Sequence, residues 1–367
     1  MEMVSETKQN GSDAPTEVLP ALAERPAGLP PGNYTLVGWD MDTTGRRLID
    51  EICQLAAYTP KQTYSQYIMP YGDLNPGARR RHNVRVVTVG RYRMLKDTVT
   101  HKILKTKSEI SALSDFLEWL EKEKGDGSII LIYHEPRRLS PTMLLEALSR
   151  HNFLDRFKKI VAGFADSYAL AAEKCKSTVK SVSLRVLARV LLDADTLSVD
   201  SEQQEVGGAG EGSTASKDMV ETACAWARPV HTELEVLDNL KKLLERQNTF
   251  RPIFAPLLHL ARPERRRVTH LRRMLADAGL LYEHLQQAWE EQRLTGLEKQ
   301  LAALSTKAKE EDMKELIEIL DCHFDPAKEP KGLKPRINNK NRAVGEGEEG
   351  AGDDVTSNNE GQEVAAN

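Results

Sequence analysis

Two aspartates, Asp40 and Asp42, close an apolar run, Tyr34–Trp39 (YTLVGW), and lead into Thr43-Thr44-Gly45. A short apolar run bounded by a turn signal predicts a buried strand. Along a strand, residues i and i+2 face the same side, so the two carboxylates share a face. Two hard oxygen donors placed that way can hold a magnesium ion. A bare Asp-x-Asp is also what any polar strand end looks like. The constraint comes from the whole stretch Asp40–Ile52 (DMDTTGRRLIDEI), in which the acidic pair is followed at once by a tight turn and a second apolar run.

The chain beyond it reads as an α/β domain over 31–230. Ile49–Tyr58 and Thr63–Met69 predict two more strands, with Thr59-Pro60 between them. Val84–Val89 (VRVVTV) is a fourth strand or an extended loop. Ser108–Glu123 predicts a helix capped by Ser108, with Ile110, Leu113, Leu117 and Leu120 on one face and Gly125-Asp126-Gly127 as its stop. Ser128–Tyr133 (SIILIY) is a fully buried strand. Pro141–His151 and Ser181–Leu192 predict further helices. Residues 198–218 are glycine-rich and almost without apolar side chains, which predicts a flexible insertion. Met219–Trp226 predicts a helix that Arg228-Pro229 ends.

An all-helical unit is expected over 231–325. Thr232 and Glu235 form a T-x-x-E capping box ahead of Leu234, Leu237, Leu240 and Leu244. Pro263 suits the first turn of a further helix and Gly279 its end. The last helix is expected from about Glu311 to His323. A disordered leader (1–30) and a disordered acidic tail (326–367) flank the two units. No stretch reaches the ~18 apolar residues of a membrane helix, and the N-terminus lacks the pattern of a signal peptide. A cytoplasmic address and no membrane partner follow. Cys53, Cys175, Cys224 and Cys322 lie far apart with no Cys-x-x-Cys pair, so they are expected as free thiols rather than as zinc ligands. No metal and no cofactor is expected.

The net charge of −4 argues against a nucleic-acid partner, but the charge is segregated. Arg262–Arg273 (RPERRRVTHLRR) is the strongest cationic cluster. On a helical wheel Val268, Leu271, Met274, Leu275 and Ala278 share one side, and Arg262, Arg266, Thr269 and Arg273 the other, flanked by Arg265 and His270. With Arg267 and Arg272 in the same run and Arg246 and Arg251 upstream, this is the candidate RNA-binding face. Arginine gives planar, bidentate contacts to phosphate. The plain alternative is a solvated face, although such faces usually mix signs and this one holds little acid besides Glu264. Arg79-Arg80-Arg81-His82 and Arg91-Tyr92-Arg93 make a second basic region.

The stretch D-M-D-T-T-G resembles the first motif, D-x-E-T-T-G, of the DEDD superfamily of 3′–5′ exonucleases. The resemblance implies a ribonuclease H-like, five-stranded mixed sheet and a site of four acids holding two metals. Where that superfamily places its second acid, this chain has Leu139, preceded by Arg137 and Arg138. His151-Asn152-Phe153-Leu154-Asp155 has suitable letters but sits at a helix end. Asp166–Ala171 (DSYALA) and Ser183–Ala188 (SLRVLA) resemble later family stretches. The region Asp218–His231 lacks the last motif, and with it the general base and fourth acid. Asp40 and Asp42 are therefore expected as a degenerate remnant, with no catalytic residues. The runs VGWDMDTTGRRLIDEICQLAAYTP, YHEPRRLSPTMLLEAL and FADSYALA together resemble the exuperantia family of insects over about residues 30–325. That resemblance implies an inactive exonuclease-like domain followed by a SAM-like helical bundle. It also implies a homodimer formed through the first domain, and RNA binding in the localisation of maternal mRNA such as bicoid. Two rivals stand beside it: an active metal-dependent exoribonuclease, and a scaffold that binds only proteins.

Overall fold

The computed structural model describes residues 28–175, 177–192, 217–305 and 308–328. The expected leader before residue 28, the tail beyond 328 and all of the expected insertion but Lys217 and Asp218 lie outside the described residues.

The strands are β1 (Tyr34–Thr43), β2 (Ile52–Tyr58), β3 (Thr63–Ile68), β4 (Val84–Val89), β5 (Tyr92–Asp97), β6 (Thr106–Lys107), β7 (Ser128–Tyr133), β8 (Val161–Asp166) and β9 (Ala227–Pro229). Seven form one mixed sheet in the order β6-β3-β2-β1-β7-β8-β9. β1, β2 and β3 run antiparallel as a meander, whereas β7 and β8 run parallel to β1. The expected five strands are the centre, and short β6 and β9 extend it. β4 and β5 pair separately as a hairpin, turning at Gly90 with φ 61°. The sequence left β5 unread because YRMLKD carries little apolar signal.

The helices of the first half are α1 (Pro76–His82), α2 (Glu109–Glu123), α3 (Leu139–Arg150), α4 (Leu154–Lys158), α5 (Ser167–Lys174), α6 (Leu184–Leu192) and α7 (Lys217–Ala225). α2 starts where Ser108 accepts a hydrogen bond from Ser111 N, as its sequence predicts. Phe116, Leu117 and Leu120 of α2 and Leu144, Leu145 and Leu148 of α3 fill one face of the sheet against Val37, Leu55 and Leu131. On the other face Ala223 and Cys224 of α7 cover Ile130 and Ala165.

The second half holds α8 (Val230–Thr249), α9 (Arg251–Phe254), α10 (Arg262–Asp277), α11 (Tyr282–Ser305, broken at Arg293) and α12 (Glu310–Phe324). The capping box is not used. α8 begins at Val230 with Pro229 as its N-cap and no side-chain cap, so Thr232 already lies in the first turn. The cause is upstream. Ala227–Pro229 pairs with β8 as an edge strand, rather than merely ending α7, and the chain enters the helix directly from the sheet. α8 joins the two halves: Val236, Leu237 and Leu240 pack in the first core, and Leu243 in the second with Phe254, Val268 and Leu271. α10 ends as expected, with Gly279 at φ 76° and Gly279 N and Leu280 N donating back to Ala276 O and Leu275 O. Ala278, expected on its apolar side, is exposed at the C-cap. All four cysteines are free, with Cys53 and Cys224 buried and Cys175 and Cys322 only partly so.

Candidate functional site

Because β1, β7 and β8 are parallel, their C-terminal ends gather at one edge of the sheet. Asp40 and Asp42, Glu135 and Asp166 come from those three ends. Gly45 lets the chain turn sharply there, since a Cβ at that position would fall 2.1 Å from Asp50 Oδ2. Arg47 N and its guanidinium donate to Asp50 at 2.8 and 2.9 Å, which closes the turn and delays β2 until Ile52 rather than Ile49. Thr44 O accepts from Asn75 N, and Asn75 caps α1 by accepting from Ala78 N at 2.8 Å. The D-T-T-G turn thereby fixes α1 beside the two aspartates.

Each carboxylate is already engaged, Asp40 only by its neighbour's amide, since Asp40 Oδ1 accepts from Met41 N at 2.9 Å. Asp42 pairs with His82 Nδ1, the last residue of α1. Glu135 Oε2 accepts from Leu139 N (3.0 Å), Ser140 N (2.9 Å) and Ser140 Oγ (2.8 Å), capping α3 where Arg138, at φ 53°, supplies no cap. Asp166 Oδ1 accepts from Ala169 N to cap α5, and Oδ2 lies 2.7 Å from Arg138 Nε as a charge contact off the hydrogen-bond axis. Behind Asp166, buried Arg228 and Glu233 stand 3.6 Å apart, and burial raises the Glu233 carboxyl against the opposing pull of Arg228. Asp40 keeps contact with solvent, yet the crowding walls desolvate it. That desolvation, then the charge of Asp42, pushes its carboxyl up to about 6.

Three arginines share this edge: Arg46 after β1, Arg81 in α1 and Arg137 between β7 and α3. Desolvation, then the charges of Arg81 and Arg137, lowers the proton affinity of Arg46 against the pull of Glu135, and desolvation lowers that of Arg81 against the pull of Asp42, with Arg137 and Arg80 adding repulsion. Among the described residues none of the three makes an ion pair or a side-chain hydrogen bond.

A two-metal nuclease needs four free acids facing each other. This donor set does not fit. Asp42 is in contact with His82 and Asp166 with Arg138, Glu135 serves a helix terminus, and guanidinium groups crowd the remainder. Among the described residues no group of three His, Cys, Asp or Glu side chains is arranged for a metal. Leu139 is buried at the start of α3. Asp155 sits in α4, which precedes β8, at the opposite end of the sheet. Glu135, Asp166 and Glu233 escaped notice as charged partners of the site. For Glu135 the available signal was its place two residues beyond the strand SIILIY.

The basic helix is arranged differently. Arg267 pairs with Glu315 at 3.1 Å, His270 lies 3.8 Å from Asp312, and Arg273 lies 3.3 Å from Asp277. Arg272 Nε donates to Gln247 O at 2.7 Å and Arg246 Nε to Ala276 O at 2.9 Å, tying α8 to α10. Burial, then Arg251, lowers the Arg272 proton affinity. Arg251 and Arg266 are exposed and Arg265 half-buried, without a side-chain partner among the described residues. The placement of the Arg262 side chain lies outside the description. The expected face is thus spread over α8, α9 and α10, and much of its charge is used within the bundle.

No helix among the described residues is long and apolar enough to cross a membrane. Residues 34–191 match the Exuperantia RNAse H-like domain, and residues 251–323 the Exuperantia SAM-like domain. The maternal protein exuperantia of Drosophila virilis is 39% identical over 350 residues, covering 82% of this chain and 71% of that protein. That of Drosophila melanogaster is 37% identical over 376 residues, covering 82% and 70%. The mixed ribonuclease H-like sheet, the helical SAM-like unit behind it and these relatives together place the chain in the exuperantia family.

Proposed function

We propose that this protein binds RNA without cutting it. It acts as a homodimer in the cytoplasm of the oocyte, localising maternal mRNA of the bicoid type. The observation that carries the reading is the state of the sheet edge: Asp42 and Asp166 are held by His82 and Arg138, and arginines without an ion pair or side-chain hydrogen bond among the described residues stand where a nuclease requires free acids. Its relatives are named maternal proteins, which agrees with a role other than that of a digestive enzyme. The exonuclease-like unit (31–230) and the SAM-like unit (231–325) divide the work, with α8 packed into both cores. Arg251, Arg265 and Arg266 supply phosphate contacts from the second unit, and their effect is salt-sensitive because each contact releases counterions. Two copies in one particle raise avidity for a long RNA without new contacts.

The test incubates purified protein with end-labelled single-stranded RNA, with magnesium or manganese and separately with chelator. Each reaction is split between a native and a sequencing gel. Shifted, full-length RNA in both conditions is the expected result, weakened by Arg265→Glu with Arg266→Glu. Metal-dependent ladders abolished by Asp40→Ala would make the protein an exonuclease. RNA that never shifts at any salt would leave a protein-binding scaffold. Light scattering at micromolar concentration reads the dimer directly, and a monomer there removes the avidity argument.

A further inference from the structure

We propose that the acidic segment 343–367 docks on the cationic face of its own helical unit, at Arg251, Arg265 and Arg266, and competes there with RNA. The competition rests on the RNA reading above; the contact between segment and face does not.

Charge is divided unevenly along the chain. Residues 343–367 carry seven aspartates and glutamates and not one lysine or arginine. A block of like charges repels itself and finds no counter-charge within its own length. The helical unit offers the opposite. Arg267 and Arg273 of α10 are paired with Glu315 and Asp277. Arg265 and Arg266, with Arg251 of α9, make no ion pair or side-chain hydrogen bond among the described residues. Arg272 connects these positions. It follows Arg265 by two helical turns, so the two share a face of α10. Its guanidinium reaches Gln247 O at 2.7 Å and Asn248 Oδ1 at 3.1 Å, just ahead of Arg251 in the chain.

The chain leaves the unit beside this face. Tyr282 N donates to Thr249 Oγ1 at 3.1 Å, and the Tyr282 hydroxyl meets His323 Nε2 at 3.2 Å. One tyrosine therefore spans from the α8–α9 junction to the end of α12. From Lys328, where the described residues stop, eighteen peptide steps lead to Glu346, the first of the seven acids. Fully extended they reach about 60 Å, several times the ~13 Å radius of gyration of a unit of this size. Tethering makes the contact intramolecular, at an effective concentration of up to about 1 mM, so even weak pairing is occupied. Guanidinium forks meet carboxylates with the same two parallel hydrogen bonds that they give to phosphates, and the segment and an RNA strand therefore seek the same groups. Lys331–Arg342, which carries five cations, is the rival partner for the acids, and arginine variants separate the two.

Two measurements on the full chain test the contact. In the first, every acid of 343–367 is changed (Asp→Asn, Glu→Gln), and a fluorescent peptide of the native 343–367 sequence is titrated into this neutralised chain at low salt, read by anisotropy. Saturable binding of one peptide per chain is expected, weakened severalfold by Arg251→Gln/Arg265→Gln/Arg266→Gln and lost at high salt. Arg251→Gln/Arg266→Gln, which alters only exposed side chains, guards against misfolding: it should weaken the peptide at an unchanged melting temperature. In the second, oligouridylate is titrated into the parent and the neutralised chain. Neutralisation should tighten its binding severalfold, and should change nothing in the Arg251→Gln/Arg265→Gln/Arg266→Gln background. An equal gain in both backgrounds means that the acids act through net charge alone and overturns the docking. So does a peptide that fails to bind, or that binds the triple arginine variant as tightly. A peptide that binds at the arginines while oligouridylate binds neither chain overturns the RNA reading and leaves the contact standing.

Discussion

The sheet edge and the basic helix carry similar charges in opposite arrangements. At the edge, carboxylates are paired or capping while Arg46, Arg81 and Arg137 make no ion pair or side-chain hydrogen bond among the described residues. On α10, the densest run of arginine in the chain, Arg267, Arg272 and Arg273 are bonded to their own domain. The comparison teaches that a count of cations along the sequence does not measure the cations available to a ligand. Availability is set by what the fold puts opposite each one. Three arginines scattered between positions 46 and 137 are freer than three packed within seven residues of one helix.

The largest effect that sharpens this comparison comes from a cation the edge does use. Arg138→Asn keeps a residue that tolerates the left-handed backbone at φ 53°. It removes the charge facing buried Asp166, whose other oxygen stays with Ala169 N. Stripping one partner from a buried pair costs about 3–5 kcal/mol. Arg138 is partly open to solvent, so the expected loss lies at about 3 kcal/mol, read as a shift of the urea midpoint at unchanged m-value. A loss below about 1 kcal/mol would mean that Asp166 is not held by charge, and the contrast between paired and free arginines at this edge would weaken.

A middle-sized effect is expected on α10. Arg272→Ala leaves Gln247 O without its donor and should cost about 1–2 kcal/mol. Arg266→Ala, on the exposed side, should stay within about 0.5 kcal/mol. Equal losses at the two positions would show that α10 does not divide into an inward structural set and an outward free one. The same pair read in the RNA gel shift should reverse, with Arg266 the more sensitive per unit of stability lost.

How much of this was legible in the sequence follows from range. β1, α2 and β7 announce themselves through apolar runs and the Ser108 cap, and Asp40-x-Asp42-Thr-Thr-Gly located the site. These signals are local. β9 was unreadable because Ala227–Pro229 becomes a strand only by lying against β8. The capping box at Thr232 failed for the same reason, since that edge pairing starts α8 three residues early. The partners of the site are also long-range. Asp42 meets His82 across forty residues and Asp166 meets Arg138 across twenty-eight, distances over which no periodicity in a single sequence speaks. Leu139 drew attention as the missing acid, whereas the carboxylate that the fold delivers there is Glu135, already turned onto the helix that Leu139 begins.

The smallest effect carries the clearest sign. Asp40 is the one acid at the edge whose carboxyl lies far above its ordinary value of 3.8, at about 6, through desolvation and the neighbouring Asp42. The folded state therefore holds a proton that the unfolded chain has released between about pH 4 and 6. Stability must fall as pH rises through that window, the reverse of a carboxylate held by a cation. A shift of this size in a fully buried group would amount to about 3 kcal/mol, but Asp40 touches water, and screening reduces the expected figure to about 1 kcal/mol. Asp40→Asn should therefore stabilise the protein by about that amount at pH 7 and flatten the fall between pH 4 and 6, measured by urea unfolding across the range. If Asp40→Asn instead destabilises at pH 7, the arginines at the edge are using Asp40 as their counter-charge. They would then be no freer than those of α10, and the difference between the two regions would disappear.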